Sequence, residues 1–198
     1  MAENTVLVLL GHPDSKNSFN GAIARTATAA LEDQGYSPVF RDLYAEGFDP
    51  ILTLIEATGP VEKAPPEMLA EIEQLKACYG MVFVHPNWWG SPPAMLRGWV
   101  DRVLRNGVAY GYTEEGPWQG LNDKVVQVFS TSNTPRDYEL EVYGDPLERH
   151  WKNIVFGVCG SKSFERRNFQ QIILSDEATR KAWLAEVDEI IRRRFVKV

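Results

Sequence analysis

Apolar residues in this chain fall into short unbroken runs separated by stretches of helical period. Thr5 to Leu10, Met81 to Val84 and Lys124 to Ser130 are almost purely apolar and rich in β-branched residues. Runs of that length and composition predict strands covered on both faces. Val39 to Tyr44 predicts a second strand, and Ser161 to Phe169 is expected to hold a fifth. Between them the spacing turns helical. Ile23, Ala27, Ala30 and Leu31 form one stripe, stopped by Gln34-Gly35. Met68, Leu69, Ile72, Leu75 and Tyr79 form the next, over Glu67 to Tyr79, just after Pro65-Pro66. Leu96, Trp99, Val100 and Val103 follow from Ala94. Leu147, Trp151, Ile154, Val155 and Val158 run from Pro146 to a stop at Gly160, and Trp183, Leu184, Val187, Ile190 and Ile191 close the chain over Glu177 to Phe195.

Glu46 to Pro66 lacks a clear period and reads as an irregular excursion with a short helix around Ile51 to Ala57. Asn106 to Trp118, rich in glycine and aromatic residues, is expected to be a long surface loop. Strands and helices alternate throughout. That alternation predicts a single domain over residues 1–198, an α/β doubly wound five-stranded parallel sheet with helices on both faces.

A parallel sheet places all its strand carboxyl ends on one edge, where ligands bind. Three segments of unusual composition follow strands here. Gly11 to Asn20 offers hydroxyl and amide side chains at a helix start, either a simple capped helix or an anion site at the positive end of the helix dipole. Pro86 to Ser91 carries Trp88-Trp89 on a segment stiffened by proline. The pair serves either to pack the loop against core or partner, or as a wall for a flat cofactor. Thr131 to Pro135 offers hydroxyl and amide groups suited to a heteroaromatic edge. A flavin mononucleotide needs a phosphate cradle, a flat wall and a polar edge together.

Composition narrows the classes. The 198 residues are 44% hydrophobic and 24% charged, with a formal net charge of −6 and no basic patch, so nucleic acid is not an expected partner. No GxGxxG or GxxxxGK[ST] occurs. Cys78 and Cys159 lack metal or redox spacing and are expected to be buried thiols, and His12, His85 and His150 are too scattered to suggest a metal. The chain starts without a signal-like segment and contains no membrane-spanning run, which gives the expectation of a cytoplasmic protein.

Pro86-Asn87-Trp88-Trp89 followed by Pro93-Ala94-Met95-Leu96-Arg97-Gly98-Trp99 resembles the Pro-x-x-Trp-aromatic loop and Pro-Ala-x-Leu-Lys-Gly-Trp helix of the flavodoxin-like NAD(P)H:quinone oxidoreductases, a family that includes modulators of drug activity and potassium-efflux ancillary oxidoreductases. Gly11-His12-Pro13, Ser18-Phe19-Asn20, Asp42-Leu43-Tyr44, Phe48-Asp49-Pro50 and Ala109-Tyr110-Gly111-Tyr112 extend the resemblance over most of the chain. It implies a flavin-binding domain that passes a hydride from NAD(P)H through flavin N5 to a quinone or similar flat acceptor by a ping-pong mechanism. The cofactor implied is FMN, with FAD as the alternative.

By the same resemblance His12, Ser18, Phe19 and Asn20 would hold the phosphate region. Pro86, Asn87, Trp88 and Trp89 would line the ring, and Thr131, Ser132, Asn133 and Thr134 would meet its pyrimidine edge. Tyr143 stands near the position of the family's relay His, and Asp137 or the neighbouring Tyr138 near that of its Tyr. The Thr-Ser-Asn-Thr-Pro segment departs from the family's Thr-Thr-Gly-Gly, which changes how closely the backbone can approach a ring. A homodimer is implied, with Tyr110 to Trp118 a candidate to complete the partner's site. Two other roles occur in or beside the family: an ancillary regulatory subunit of a potassium-efflux transporter, and a flavodoxin-type electron carrier.

Overall fold

The computed structural model describes residues 4–196. Five strands form one parallel sheet in the order β2-β1-β3-β6-β7: β1 (Thr5–Leu10), β2 (Ser37–Asp42), β3 (Gly80–Pro86), β6 (Val125–Thr131) and β7 (Ser163–Phe169). The chain steps outward from β1 to β2, then returns past β1 to β3. The order therefore reverses between β1 and β3, which opens a crevice at their carboxyl ends.

Alternation along the strands divides the core in two. Leu7, Leu9, Met81, Phe83, Val126 and Val128 face α3 (Pro66–Ala77), α4 (Ala94–Val103) and the helical stretch 146–159. Val6, Val8, Leu10, Val82, Val84 and Phe129 face α1 (Phe19–Asp33) and α8 (Glu177–Arg194). Burial on both faces explains why the central strands are continuous apolar runs.

The expected elements are present with five differences. β2 lies two residues earlier than expected. It is an edge strand paired only with β1, so Pro38, a breaker inside a sheet, is tolerated in it. The excursion after β2 holds its short helix at α2 (Leu54–Thr58), started by a capping box between Thr53 and Glu56. The expected loop 106–118 folds instead into a hairpin, β4 (Tyr110–Thr113) with β5 (Gly116–Gln119), turned at Gly116 with φ 119°. After β6 comes an unexpected short helix, α5 (Arg136–Glu141).

The helix expected over Pro146 to Val158 is α6 (Pro146–Glu148), a π-helical turn (Arg149–Val155) and α7 (Phe156–Cys159). The wide turn leaves both Trp151 and Val155 buried, with the Phe156 N–H bonding back to the Trp151 carbonyl. Cys78 and Cys159 are free and buried, and burial pushes both thiols up to about 11. No described helix is long and apolar enough to cross a membrane.

Candidate functional site

At the switch point a cleft of about 250 Å³ is lined by His12, Ser18, Phe19, Asn20, Pro86, Asn87, Trp88, Thr131, Ser132, Asn133 and Ile172. A larger concavity of about 490 Å³ lies elsewhere, between residues 52–59, 97–106 and 154–159. The smaller one is where three strand ends converge, and it gathers ten of the twelve residues expected to hold a cofactor.

The first wall is the loop from β1 into α1. The Ser18 hydroxyl caps α1 by accepting from the Gly21 N–H at 3.0 Å. Asp14 accepts from the Asn17 N–H at 2.9 Å, and its own N–H donates to Nδ1 of His12 at 3.0 Å. Burial lowers the His12 pKa, with the contacts to Asp14 opposing it. Phe19 packs edge-on against Phe169, with ring centroids 6.0 Å apart. Asn20 crosses to the third wall: its Nδ2 donates to Thr131 Oγ1 at 2.9 Å. Its Oδ1 is buried and has no hydrogen-bond partner among the described residues.

The second wall follows β3. His85 is fully buried, with Nδ1 2.8 Å from the Pro86 carbonyl and Nε2 3.0 Å from the indole nitrogen of Trp151. A carbonyl only accepts and an indole N–H only donates, so the ring is the neutral Nδ1–H tautomer. Burial pushes its pKa down to about 4, with Arg166 adding to the shift. The Pro86–Asn87 peptide is thus held at both ends, since the Asn87 N–H donates to the Thr131 carbonyl at 2.7 Å.

Trp88 and Ser91 then exchange two backbone bonds of 3.0 Å around Trp89 (φ 58°) and Gly90 (φ 72°). Two successive positive φ values make a tight turn of the type I′ kind. Trp88 lines the cleft half-exposed. Trp89 is wholly exposed at the tip of the turn and does not line it. Neither indole enters the core.

The third wall follows β6. The Ser132 N–H donates to the Phe169 carbonyl at 2.9 Å, and the Ser132 carbonyl accepts from the Ile172 N–H at 3.2 Å. Asn133 accepts at Oδ1 from the Ile173 N–H at 3.0 Å, leaving its amide donor without a protein partner among the described residues. Thr134 does not line the cleft. Tyr138 and Tyr143, on and just after α5, also lie outside it. They are about half exposed, with ring centroids 5.1 Å apart, edge to face.

Between those tyrosines α5 turns Glu139 inward to complete burial. Oε1 of Glu139 accepts from Asn87 Nδ2 at 3.0 Å, and Oε2 from Asn168 Nδ2 at 2.7 Å. Asn168 also accepts from the Ser130 hydroxyl at 3.0 Å and reaches Ser132 Oγ at 3.4 Å. Arg166 donates to Ser130 Oγ at 3.3 Å and pairs with Asp145 and Glu148.

Three participants escape sequence reasoning. Ile172 follows β7 and so belongs to the same sheet edge, a signal available once the fifth strand is placed. Asn168 sits inside an otherwise partly exposed strand. Glu139 lies in the acidic segment Asp137 to Glu141, which reads as solvated.

A family model described as flavodoxin-like fold matches residues 4–191. The chain is 34% identical over 181 residues to an uncharacterized NAD(P)H oxidoreductase of Haemophilus influenzae, covering 90% of this chain and 89% of that one. It is 34% identical over 189 residues to NAD(P)H dehydrogenase (quinone) 1 of Rattus norvegicus, covering 83% of this chain and 68% of the rat protein. The solved NAD(P)H:quinone oxidoreductase of Methanothermobacter marburgensis aligns with a TM-score of 0.80 at 25% identity, covering 96% of this chain and 98% of that one. The chain belongs to the flavodoxin-like family, in the oxidoreductase branch that these relatives represent.

Proposed function

We propose that the protein is a flavin-dependent NAD(P)H oxidoreductase that reduces a quinone or another flat acceptor, with FMN as its cofactor and the two substrates using one open face in turn. The observation that carries this reading is the strand-end cleft that gathers ten of the expected residues between a capped helix start and a stiff peptide wall, with Asn20, whose buried Oδ1 has no hydrogen-bond partner among the described residues, in its lining. A buried acceptor without a donor is costly, and a ligand hydroxyl or N–H satisfies it.

The donor set fits a flavin. The Ser18-capped start of α1 would hold a phosphate. Pro86, Asn87 and Trp88 would flank the ring, with Trp89 at the tip of the same turn facing solvent, where an incoming substrate would meet it. Thr131, Ser132 and Asn133 would lie at the polar edge. Bound there, the flavin would supply a hydride acceptor and donor at N5. The chain's part is to orient the ring, exclude water and steady the negative charge that grows near N1. The free amide donor of Asn133 suits that last task. Tyr143 and Tyr138 are the proposed relay pair; neither hydroxyl has a protein partner among the described residues, so both are available as donors.

We assign the larger concavity to a second copy of the chain. Leu52, Ile154 and Val158 line it, with Ile154 60% exposed, and Leu54, on the α2 helix whose Glu56 and Ala57 also line it, is 79% exposed, a large aliphatic surface for a free face.

The test is direct. Apoprotein mixed with FMN should change the flavin fluorescence and stay yellow after gel filtration, and should then oxidise NADH or NADPH when a soluble naphthoquinone is added. Protein that binds neither FMN nor FAD overturns the proposal. Extraction of the flavin from freshly purified protein distinguishes the two.

A further inference from the structure

We propose that Glu139 is a positioning residue whose buried carboxylate locks the ring-lining and polar-edge loops together and makes flavin bound between them harder to reduce; this rests on the function proposed above. The geometry comes first. Asn87 Oδ1 accepts from the Gly90 N–H at 2.9 Å, which fixes the amide so that Nδ2 must face Glu139. The same carboxylate takes the Asn168 amide, and Asn168 reaches Ser130 and Ser132. One side chain therefore ties the loop after β3, the end of β6 and the end of β7. Asn87 and Ser132 both line the cleft, so Glu139 stands one hydrogen bond behind it on one wall and two behind it on the other.

The electrostatics follow. Both oxygens accept from amide N–H groups, the pattern of an ionised carboxylate. Buried charges are ordinarily paired with a cation. Among the described residues no cation lies within salt-bridge distance of Glu139. The nearest cation in the network, Arg166, is engaged by Asp145 and Glu148. Two neutral amides leave the charge unbalanced beside a site where reduction adds negative charge, and in a buried setting water and salt screen it weakly. Its field opposes that reduction.

The experiment compares wild type, Glu139→Gln, Glu139→Ala and Glu141→Gln, the last removing an exposed charge from the same helix. Two readouts are needed: the FMN dissociation constant of each apoprotein by fluorescence quenching, and the midpoint potential of the bound flavin by equilibration with a reference dye. Glu139→Gln should move the potential positive, while Glu141→Gln leaves it at the wild-type value. FMN affinity should fall severalfold in Glu139→Gln, where an amide donor now faces amide donors, and tenfold or more in Glu139→Ala. A folded Glu139→Gln protein with wild-type potential and wild-type affinity overturns the inference, whatever becomes of Glu139→Ala. Wild type that binds no flavin instead overturns the proposed function.

Discussion

The indole N–H of Trp151 donates to Nε2 of His85 at 3.0 Å, and the opposite ring nitrogen of that histidine holds the Pro86 carbonyl at the mouth of the cleft. Only a neutral imidazole serves both partners. Burial holds the folded-state pKa near 4, well below the ordinary 6.5. Below pH 6.5 the unfolded chain binds a proton that the folded chain refuses. The stability contributed by the neutral ring is complete above that pH and is lost as pH falls from about 6.5 to about 4, up to roughly 3 kcal/mol. His150, also pushed down to about 4 by burial, acts in the same direction. Urea unfolding at pH 7.5 and pH 5 should show this loss, with a smaller pH difference in His85→Asn. Trp151→Phe should cost about 1–3 kcal/mol at pH 7.5, because it strands the buried Nε2 acceptor.

Asn20 offers a different test, because its two amide atoms do different jobs. Nδ2 joins two walls through Thr131, whereas Oδ1 has no hydrogen-bond partner among the described residues. Asn20→Ala removes a structural bond and, at the same time, an acceptor that burdens the ligand-free protein. Those effects on the apoprotein partly offset, so its melting temperature should change little. The ligand loses an acceptor outright. FMN affinity should fall about tenfold, equivalent to about 1.4 kcal/mol, measured by titration of apoprotein. Unchanged affinity would show that Oδ1 does not meet the ligand.

The sheet was legible from the sequence because its central strands are buried on both faces and carry continuous apolar runs such as Val6 to Leu10. The cleft was legible because a parallel sheet sends every strand end to one edge. The hairpin 110–119 was not, since glycine and exposed aromatics such as Tyr112 conceal the alternation that marks a strand. Glu139 was hidden for a stronger reason. Local pattern assigns a carboxylate among Asp137, Tyr138 and Glu141 to solvent, and only the tertiary position of Asn87 and Asn168 makes its burial tolerable. Trp89 matched a motif, yet its place at a positive-φ turn sends the indole outward.

Gly98 shows why the motif helix needs its glycine. A Cβ there would lie 2.3 Å from Pro50 Cβ and 2.4 Å from its Cα and carbonyl oxygen. Alanine would ordinarily gain up to about 1 kcal/mol in a helix interior. Here the clash is with backbone, and that backbone cannot yield freely. Arg102 holds the segment through the Asp49 carbonyl at 2.7 Å and through Glu56 at 2.8 Å, a pair whose side chains are almost wholly buried. Overpacking costs about 1–3 kcal/mol and should outweigh propensity. Gly98→Ala should lower the urea midpoint and speed proteolysis within residues 49–59. A stabilised variant would mean that Pro50 moves away freely.

The assignment of the larger concavity to a second copy makes the last prediction. Ile154 faces outward from the π-helical turn because Trp151 and Val155 take the inward positions. Leu54, on α2, is more exposed still. Fully burying such a side chain contributes about 1.5–3 kcal/mol, and a twofold interface counts each one twice. A carboxylate at either position would instead bring an added charge out of water, twice over, in the same interface. Wild type should elute in light-scattering chromatography at twice the 22.4 kDa chain mass, whereas Leu54→Asp and Ile154→Asp should shift to the single-chain mass at micromolar concentration. Their circular dichroism should remain that of wild type, because neither residue belongs to the buried core. A wild-type monomer, or variants that stay dimeric, would move the interface elsewhere on the surface.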